Sequence, residues 1–209
     1  MRALTETLSD GLVPEERERH EYYQIMLNEL GNLTGTVSEM LELSRIQNQK
    51  GRCQKISCQL TEICRSVVDE YMIICEDLGI RFYDGLSEND LQLNTNTDLA
   101  SRILDILLDN AVKFCQTGEG KSWIRIEQKE NPGYLKISVI NSGIPIKPED
   151  QPYVFHRFYQ GDRSHSGKGS GLGLAIAREI ASCLSETIRL EKSGQDGTEF
   201  SFTIALRKS

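Results

Sequence analysis

Hydrophobic and polar positions follow two different periods along this chain. From about Glu15 to Gln49 apolar residues return on a seven-residue beat. Tyr23, Leu30 and Val37 form one row, continued by the small Ser44, and Met26, Leu33 and Met40 form the other. This is the a/d seam of a coiled coil or helical bundle. One short hairpin cannot bury such a seam alone, so the pattern predicts a bundle with a second chain. A helix packed on its own domain is the competing explanation. Ahead of the seam, "DGLVPEE" (10–16) breaks at Asp-Gly and restarts at Pro14 with two glutamates, the usual chemistry of a helix start. Residues 2–9 then read as the end of an earlier helix.

Beyond "NQKGRC" (48–53) the period changes, which marks a boundary near residue 50 between a helical part (1–50) and a second domain (51–209). Residues 60–77 and 97–115 read as helices, and 79–85 and 91–94 as short strands. "SWIRIEQKE" and "YLKISVIN" alternate apolar and polar residues on either side of "NPG", the signature of a hairpin solvated on one face. A helix is expected over 170–183, then strands "TIRLEK" and "TEFSFTIAL" joined by "SGQDG". Helices mixed with largely antiparallel strands predict an α+β fold, a two-layer sandwich.

Composition narrows the functional classes. With 209 residues, 38% hydrophobic and 26% charged, the chain has the material for a packed core. A net charge of −7 argues against a nucleic-acid partner or an anionic membrane surface. No apolar run approaches the roughly 18 residues of a membrane span, and the N-terminus has no signal-peptide core. The chain therefore reads as soluble and cytoplasmic, with any membrane anchor in segments upstream of it. The six cysteines form no CxxC pair and stand at no metal-ligand spacing to His20, His156 or His165. They read as reduced, mostly buried thiols, although the clustering of Cys53, Cys58 and Cys64 leaves redox or metal work open.

The candidate chemistry lies in "SGKGSGLGLAIAREIA" (166–181). A P-loop requires GxxxxGK[ST]; here Gly169 follows Lys168, and Asp162 stands five residues before Gly167. A dinucleotide fingerprint requires a strand ahead of the first glycine, whereas the preceding segment is polar. What remains is a long polar loop, Gly161 to Gly169, opening a helix whose first turn reads Ser170-Gly171-Leu172-Gly173. Unpaired N–H groups at such a start suit an anion, and the loop is long enough to serve as a lid. In "RILDILLDNAVKF" (102–114), helical spacing puts Ile106, Asn110 and Lys113 on one face. The amide of Asn110 and the ammonium of Lys113 suit a magnesium ion and a phosphate. "VINSGIPI" (139–146) ends a strand in a polar turn where an amide can read an adenine edge.

In order and spacing, these segments resemble the ATP-binding motifs of sensor histidine kinases. "NAVKF" is similar to the N box, "NSGIPI" to the G1 box, "FHRFYQ" to the F box and "GSGLGLAIAREI" to the G2 box, and Gly197-Thr198 to the last nucleotide-contacting turn. The family shares the Bergerat fold with the gyrase, chaperone and mismatch-repair ATPases. The resemblance covers about residues 53–207. It implies a mixed, mostly antiparallel sheet with helices on one face, binding ATP and Mg2+. The implied nucleotide site is Asn110, Lys113, Asn141, Gly143, Ile146, Tyr159, Lys168, Gly169, Ser170, Gly171, Leu172, Gly173 and Thr198, with Asn110 as the magnesium ligand. It implies transfer of the γ-phosphoryl to a histidine and on to an aspartate of a response-regulator receiver domain.

The N-terminal part resembles the end of the first helix and the whole second helix of the family's dimerisation and phosphoacceptor hairpin, which implies a homodimer. The phosphoacceptor box (His-Glu-aromatic/Leu-Arg-Thr-Pro) is absent. His20 precedes Glu21, but no Arg-Thr-Pro follows and the pair stands at a helix start. The chain reads as a fragment, or as a protein that naturally lacks its acceptor, and is expected to bind ATP without autophosphorylating. Four positions depart from the family pattern. Ile106 replaces a frequent amide, Asn141 the commonest Asp of the G1 box, Pro145 its second glycine, and Gln160 a frequent Arg. Two other classes compete: a non-catalytic nucleotide-binding and dimerisation scaffold, and an anti-sigma-factor-type serine kinase.

Overall fold

In the computed structural model the described residues are 5, 7, 8, 15–48, 53–87, 91–115, 122–161 and 169–207. Helix α1 (Glu16–Asn48) carries Glu16 and Glu18 in its first turn and Arg45 in its last, which suits the helix dipole at both ends. Its seam residues Tyr23, Leu30, Leu33, Val37 and Met40 are exposed, whereas Leu43 and Ile46 near its end are buried. The heptad stripe is thus not spent on the rest of this chain. Among the described residues, α1 docks through its C-terminal turns, from about Glu39 on, against helices of the second part.

The remaining elements are β1 (Ile56–Gln59), α2 (Leu60–Asp77), β2 (Arg81–Gly85), β3 (Gln92–Thr95), α3 (Thr97–Phe114), β4 (Trp123–Asn131), β5 (Tyr134–Asn141), a 3-10 turn (Gln151–Tyr153), α4 (Gly173–Cys183), β6 (Ile188–Gly194) and β7 (Gly197–Ala205). Five strands form the main sheet in the order β2-β4-β5-β7-β6. Only the β2–β4 pair is parallel. Helices α2, α3 and α4 cover one face, so the sandwich and the mostly antiparallel sheet are as expected. On the other face, Lys136 stands between Glu191 and Glu199 at 3.5 and 3.7 Å, a charged ladder facing water.

Local chemistry explains the helix starts. At α2 the backbone N–H of Gln59 donates to Glu62 Oε1 at 2.7 Å, one arm of a capping box. At α3 the side-chain oxygen of Asn96 accepts from the Leu99 N–H at 3.0 Å. Helix α3 then buries Ile103, Leu104, Ile106, Leu107 and Leu108 between the sheet and its neighbouring helices. At about 1.5–3 kcal/mol for each buried aliphatic side chain, its apolar face contributes on the order of 10 kcal/mol, an upper bound.

Three features differ from the sequence reading. Strand β1 was not anticipated. Its four residues, Ile-Ser-Cys-Gln, are too short to show a period, and only the antiparallel partner β3 defines it. Helix α4 begins at Gly173 rather than at residue 170, because Gly171 has φ +73°, outside helical space. And Cys53 is joined to Cys183 across 130 residues of chain, so two of the six thiols are paired rather than reduced. Cys58, Cys64, Cys75 and Cys115 are free and buried.

Leu107 is 1% exposed at the centre of this packing. Leu107→Ala is expected to lower the unfolding free energy by roughly 2–5 kcal/mol, read from urea denaturation as a lower midpoint at an unchanged slope.

Candidate nucleotide site

Helix α3 turns from apolar to polar in its last turn, and the site gathers around that change. Asn110 is half-buried there, and among the described residues nothing engages its amide. Lys113, one turn on, is exposed and its Nζ lies 2.6 Å from Asp109 Oδ2. Just past the helix, Cys115 makes an antiparallel bridge to Gly143. The fit is close: a Cβ on Gly143 would stand 2.4 Å from the carbonyl oxygen of Phe114 and 3.0 Å from Asn141 Nδ2. No side chain fits at 143 without moving backbone.

Asn141 ends β5 and is 4% exposed. Its Nδ2 donates to the Ser142 carbonyl at 3.1 Å. Across the ladder it faces Thr198 of β7. The Thr198 hydroxyl lies 2.7 Å from Ser193 Oγ, which in turn accepts from the Ile146 N–H at 2.8 Å. Asn141, Gly143, Ile146 and Thr198 are therefore brought into one corner. Ser193 joins them, a residue that sequence reasoning missed because "SGQDG" reads only as a turn. Ser142 holds the corner from the other side: its Oγ accepts from the Trp123 N–H at 2.9 Å.

The glycine-rich helix start lies along the same helix α3. A Cβ on Gly173 would meet Ile106 Cγ2 at 3.5 Å, and one on Gly169 would meet Lys113 Nζ at 3.9 Å. Ile106 is thus the buried floor beneath α4, and Lys113 stands beside the loop. The Leu172 N–H donates to Ser170 Oγ at 3.0 Å. The Ser170 hydroxyl itself donates to the Glu39 carboxylate of helix α1. An anion therefore already sits against the start of α4, where the helix dipole favours it.

The aromatic segment before the loop is strapped to this start. The Phe158 N–H donates to the Gly171 carbonyl at 2.9 Å, and Phe158 takes a left-handed φ of 59°. A Cβ on Gly171 would stand 2.9 Å from both Phe158 C and Tyr159 O. Gly171 is thus required twice, by its positive φ and by the close backbone approach. Tyr159 turns away toward Asp150, to which its hydroxyl donates; that hydrogen bond pushes its pKa up to about 12. Gln160 Nε2 donates to the Gly169 carbonyl at 2.6 Å, so it anchors the loop instead of offering a charge. Lys168, with the rest of 162–168, lies outside the described residues.

A match to the description "Histidine kinase-, DNA gyrase B-, and HSP90-like ATPase" extends over residues 95–208, more than half of the chain. The chain belongs to this ATPase family. Among its relatives, the sensor histidine kinase WalK of Bacillus subtilis is 27% identical over the whole of this chain, which spans 34% of WalK's length. Two solved structures share the fold. The full-length ShkA complex with AMPPNP superposes with a TM-score of 0.74 at 19% identity, covering 92% of this chain and 40% of ShkA. Histidine kinase ThkA, in complex with the response regulator protein TrrA, gives 0.72 at 23% identity, covering 98% of this chain and 57% of ThkA. No described helix is long and apolar enough to cross a membrane.

The family's fold leaves the glycine contacts as the most exacting local feature. Gly171→Ala is expected to lower stability by about 1–3 kcal/mol, because alanine must hold a positive φ against the backbone of Phe158 and Tyr159. Thermal denaturation followed by circular dichroism checks it, with Gly35→Ala on exposed α1 as the neutral or stabilising control.

Proposed function

We propose that this chain is the ATP-binding catalytic portion of a sensor histidine kinase, with residues 51–209 as the catalytic domain and residues 1–50 as part of the dimerisation hairpin. The observation that carries the reading is the double contact of one helix. Its last turn meets the Asn141–Gly143 corner through Phe114 and Cys115, and the glycine loop through Lys113. In the proposed complex Asn141 accepts from the adenine amino group, with Gly143, Ile146 and Thr198 around the ring. Tyr159 and Leu172 flank the nucleotide. Gly169, Ser170, Gly171, Gly173 and Lys168 surround the phosphates.

Asn110 would hold Mg2+ through its amide oxygen, and Lys113 would touch phosphate. The unengaged amide and the neighbouring ammonium suit those partners. Bound Mg2+ supplies charge neutralisation for the transferring phosphoryl group. The chain's own residues supply position and a low-entropy cradle. The γ-phosphoryl is proposed to pass to a histidine outside this sequence and then to an aspartate of a response-regulator receiver domain. The exposed seam of α1 is proposed to pair with a second copy. The proposed compartment is the cytoplasm.

A second reading, a nucleotide-binding scaffold without turnover, is favoured by two departures. Ile106 is packed beneath α4 as a hydrophobe, and Gln160 is committed to a loop carbonyl. Phosphotransfer to a supplied hairpin bearing the histidine box separates the two, since a scaffold transfers nothing.

Calorimetric titration of the reduced chain with Mg-ATP is expected to give saturable binding. Asn110→Ala is expected to weaken it roughly tenfold or more, about 1.4 kcal/mol for a lost metal contact. No heat at millimolar nucleotide contradicts the proposal. So does label from γ-labelled ATP accumulating on the isolated chain.

A further inference from the structure

Helix α1 is fastened to the second part by a line of contacts that ends in a covalent one. Leu43 and Ile46 are buried, and Gln47 Nε2 donates to Glu179 Oε1 of α4 at 3.2 Å. Glu42 receives the guanidinium fork of Arg102 on α3 at 3.0 and 2.9 Å. Glu39 takes the hydroxyl proton of Ser170 at the start of α4. Cys53, five residues past the end of α1, is joined to Cys183, the last residue of α4. Helix α1 thus holds the turn just ahead of α4 through Glu39 and α4 itself through Gln47, and Cys53 holds its last residue.

We propose that Cys53 and Cys183 form a redox switch: the disulfide locks α1 onto α4 and keeps Glu39 at the phosphate end, and its reduction releases both. Their Cα atoms are 6.2 Å apart, within the span that a disulfide bridges without backbone movement. In the reducing compartment proposed above, such a bond is a sensing device rather than a permanent staple. Cys53 is half-buried, whereas Cys183 and the four free cysteines are buried; Cys53 is thus the most accessible of the six and the one that meets a solute first. Burial raises the Cys58 thiol, and pushes Cys64 to about 12 and Cys75 to about 11, which suppresses their thiolates.

The oxidant is a low-molecular-weight disulfide. The Cys53 thiolate attacks one of its sulfurs and expels a thiolate, leaving a mixed disulfide. The Cys183 thiolate then attacks the Cys53 sulfur and expels the second thiolate. Two protein thiols are oxidised, one small disulfide is reduced to two thiols, and the two protein protons end on those leaving groups. The consequence for nucleotide is electrostatic. A carboxylate held against Ser170 occupies the anion position at the start of α4 and repels phosphate. That consequence rests on the phosphate role proposed for this helix start.

The test uses the whole chain, equilibrated with oxidised or with reduced glutathione, beside Cys53→Ser under the same conditions. Peptide mapping is expected to find one intramolecular bond, Cys53 to Cys183. Hydrogen exchange in residues 39–48 is expected to be at least about threefold slower in the oxidised chain, and Mg-ATP affinity at least about threefold weaker. Cys53→Ser is expected to behave as the reduced chain in both buffers. A bond between other cysteines, no bond, or an oxidised form with the exchange and affinity of the reduced one overturns the switch. If neither redox form binds Mg-ATP, the nucleotide reading falls, and mapping with exchange alone decides the switch.

Discussion

The change of character at the end of helix α3 governs the rest of the molecule. For most of its length the helix buries aliphatic side chains against the sheet and against α2 and α4. In its last turn the same helix presents Asn110 and Lys113. The core therefore fixes where the polar turn sits, because sliding α3 by one residue would expose leucines and isoleucines at several kcal/mol. Everything that adjoins that turn inherits its position. Gly143 is pressed on the Phe114 carbonyl, Gly173 lies over Ile106, and Gly169 lies near the Lys113 ammonium.

Rigidity and access are divided between the two sides of the site. The adenine side proposed for Asn141 and Thr198 is built on adjacent strands of the sheet's middle and tied by Ser193 and Ser142. The side proposed for phosphate is built from a turn, Ser170 to Leu172, strapped by Phe158. Helix α1 enters through that side. Glu39 reaches Ser170, and Arg102 of α3 is held by Glu42, Asp105 and, beyond it, Tyr71. The guanidinium is held firmly charged chiefly by its hydrogen bonds to Glu42.

Much of this was legible in the sequence where a period was long enough to declare itself. The helices at 60–77 and 97–115 and the alternating hairpin strands show as periods, and the ordered glycine and asparagine motifs mark segments that the fold brings together at the end of α3. Four-residue β1 carries no period and depends wholly on β3. Ser193 is invisible because its role arises from a turn that folds it back onto Thr198. The Glu39–Ser170 contact and the Cys53–Cys183 bond join residues 131 and 130 positions apart, beyond the reach of local pattern. The departures at 106 and 160 were visible as letters. Their meaning needed the fold: Ile106 is a floor and Gln160 an anchor.

The central claim is that one corner and one helix start form a single nucleotide site. Backbone amide NMR during a Mg-ATP titration of the reduced chain tests it most directly. The account predicts saturable shifts concentrated at Asn110, Asn141, Gly143, Gly171, Gly173 and Thr198, all with one dissociation constant. Shifts confined to the charged outer face around Lys136, Glu191 and Glu199, or none that saturate, would contradict it.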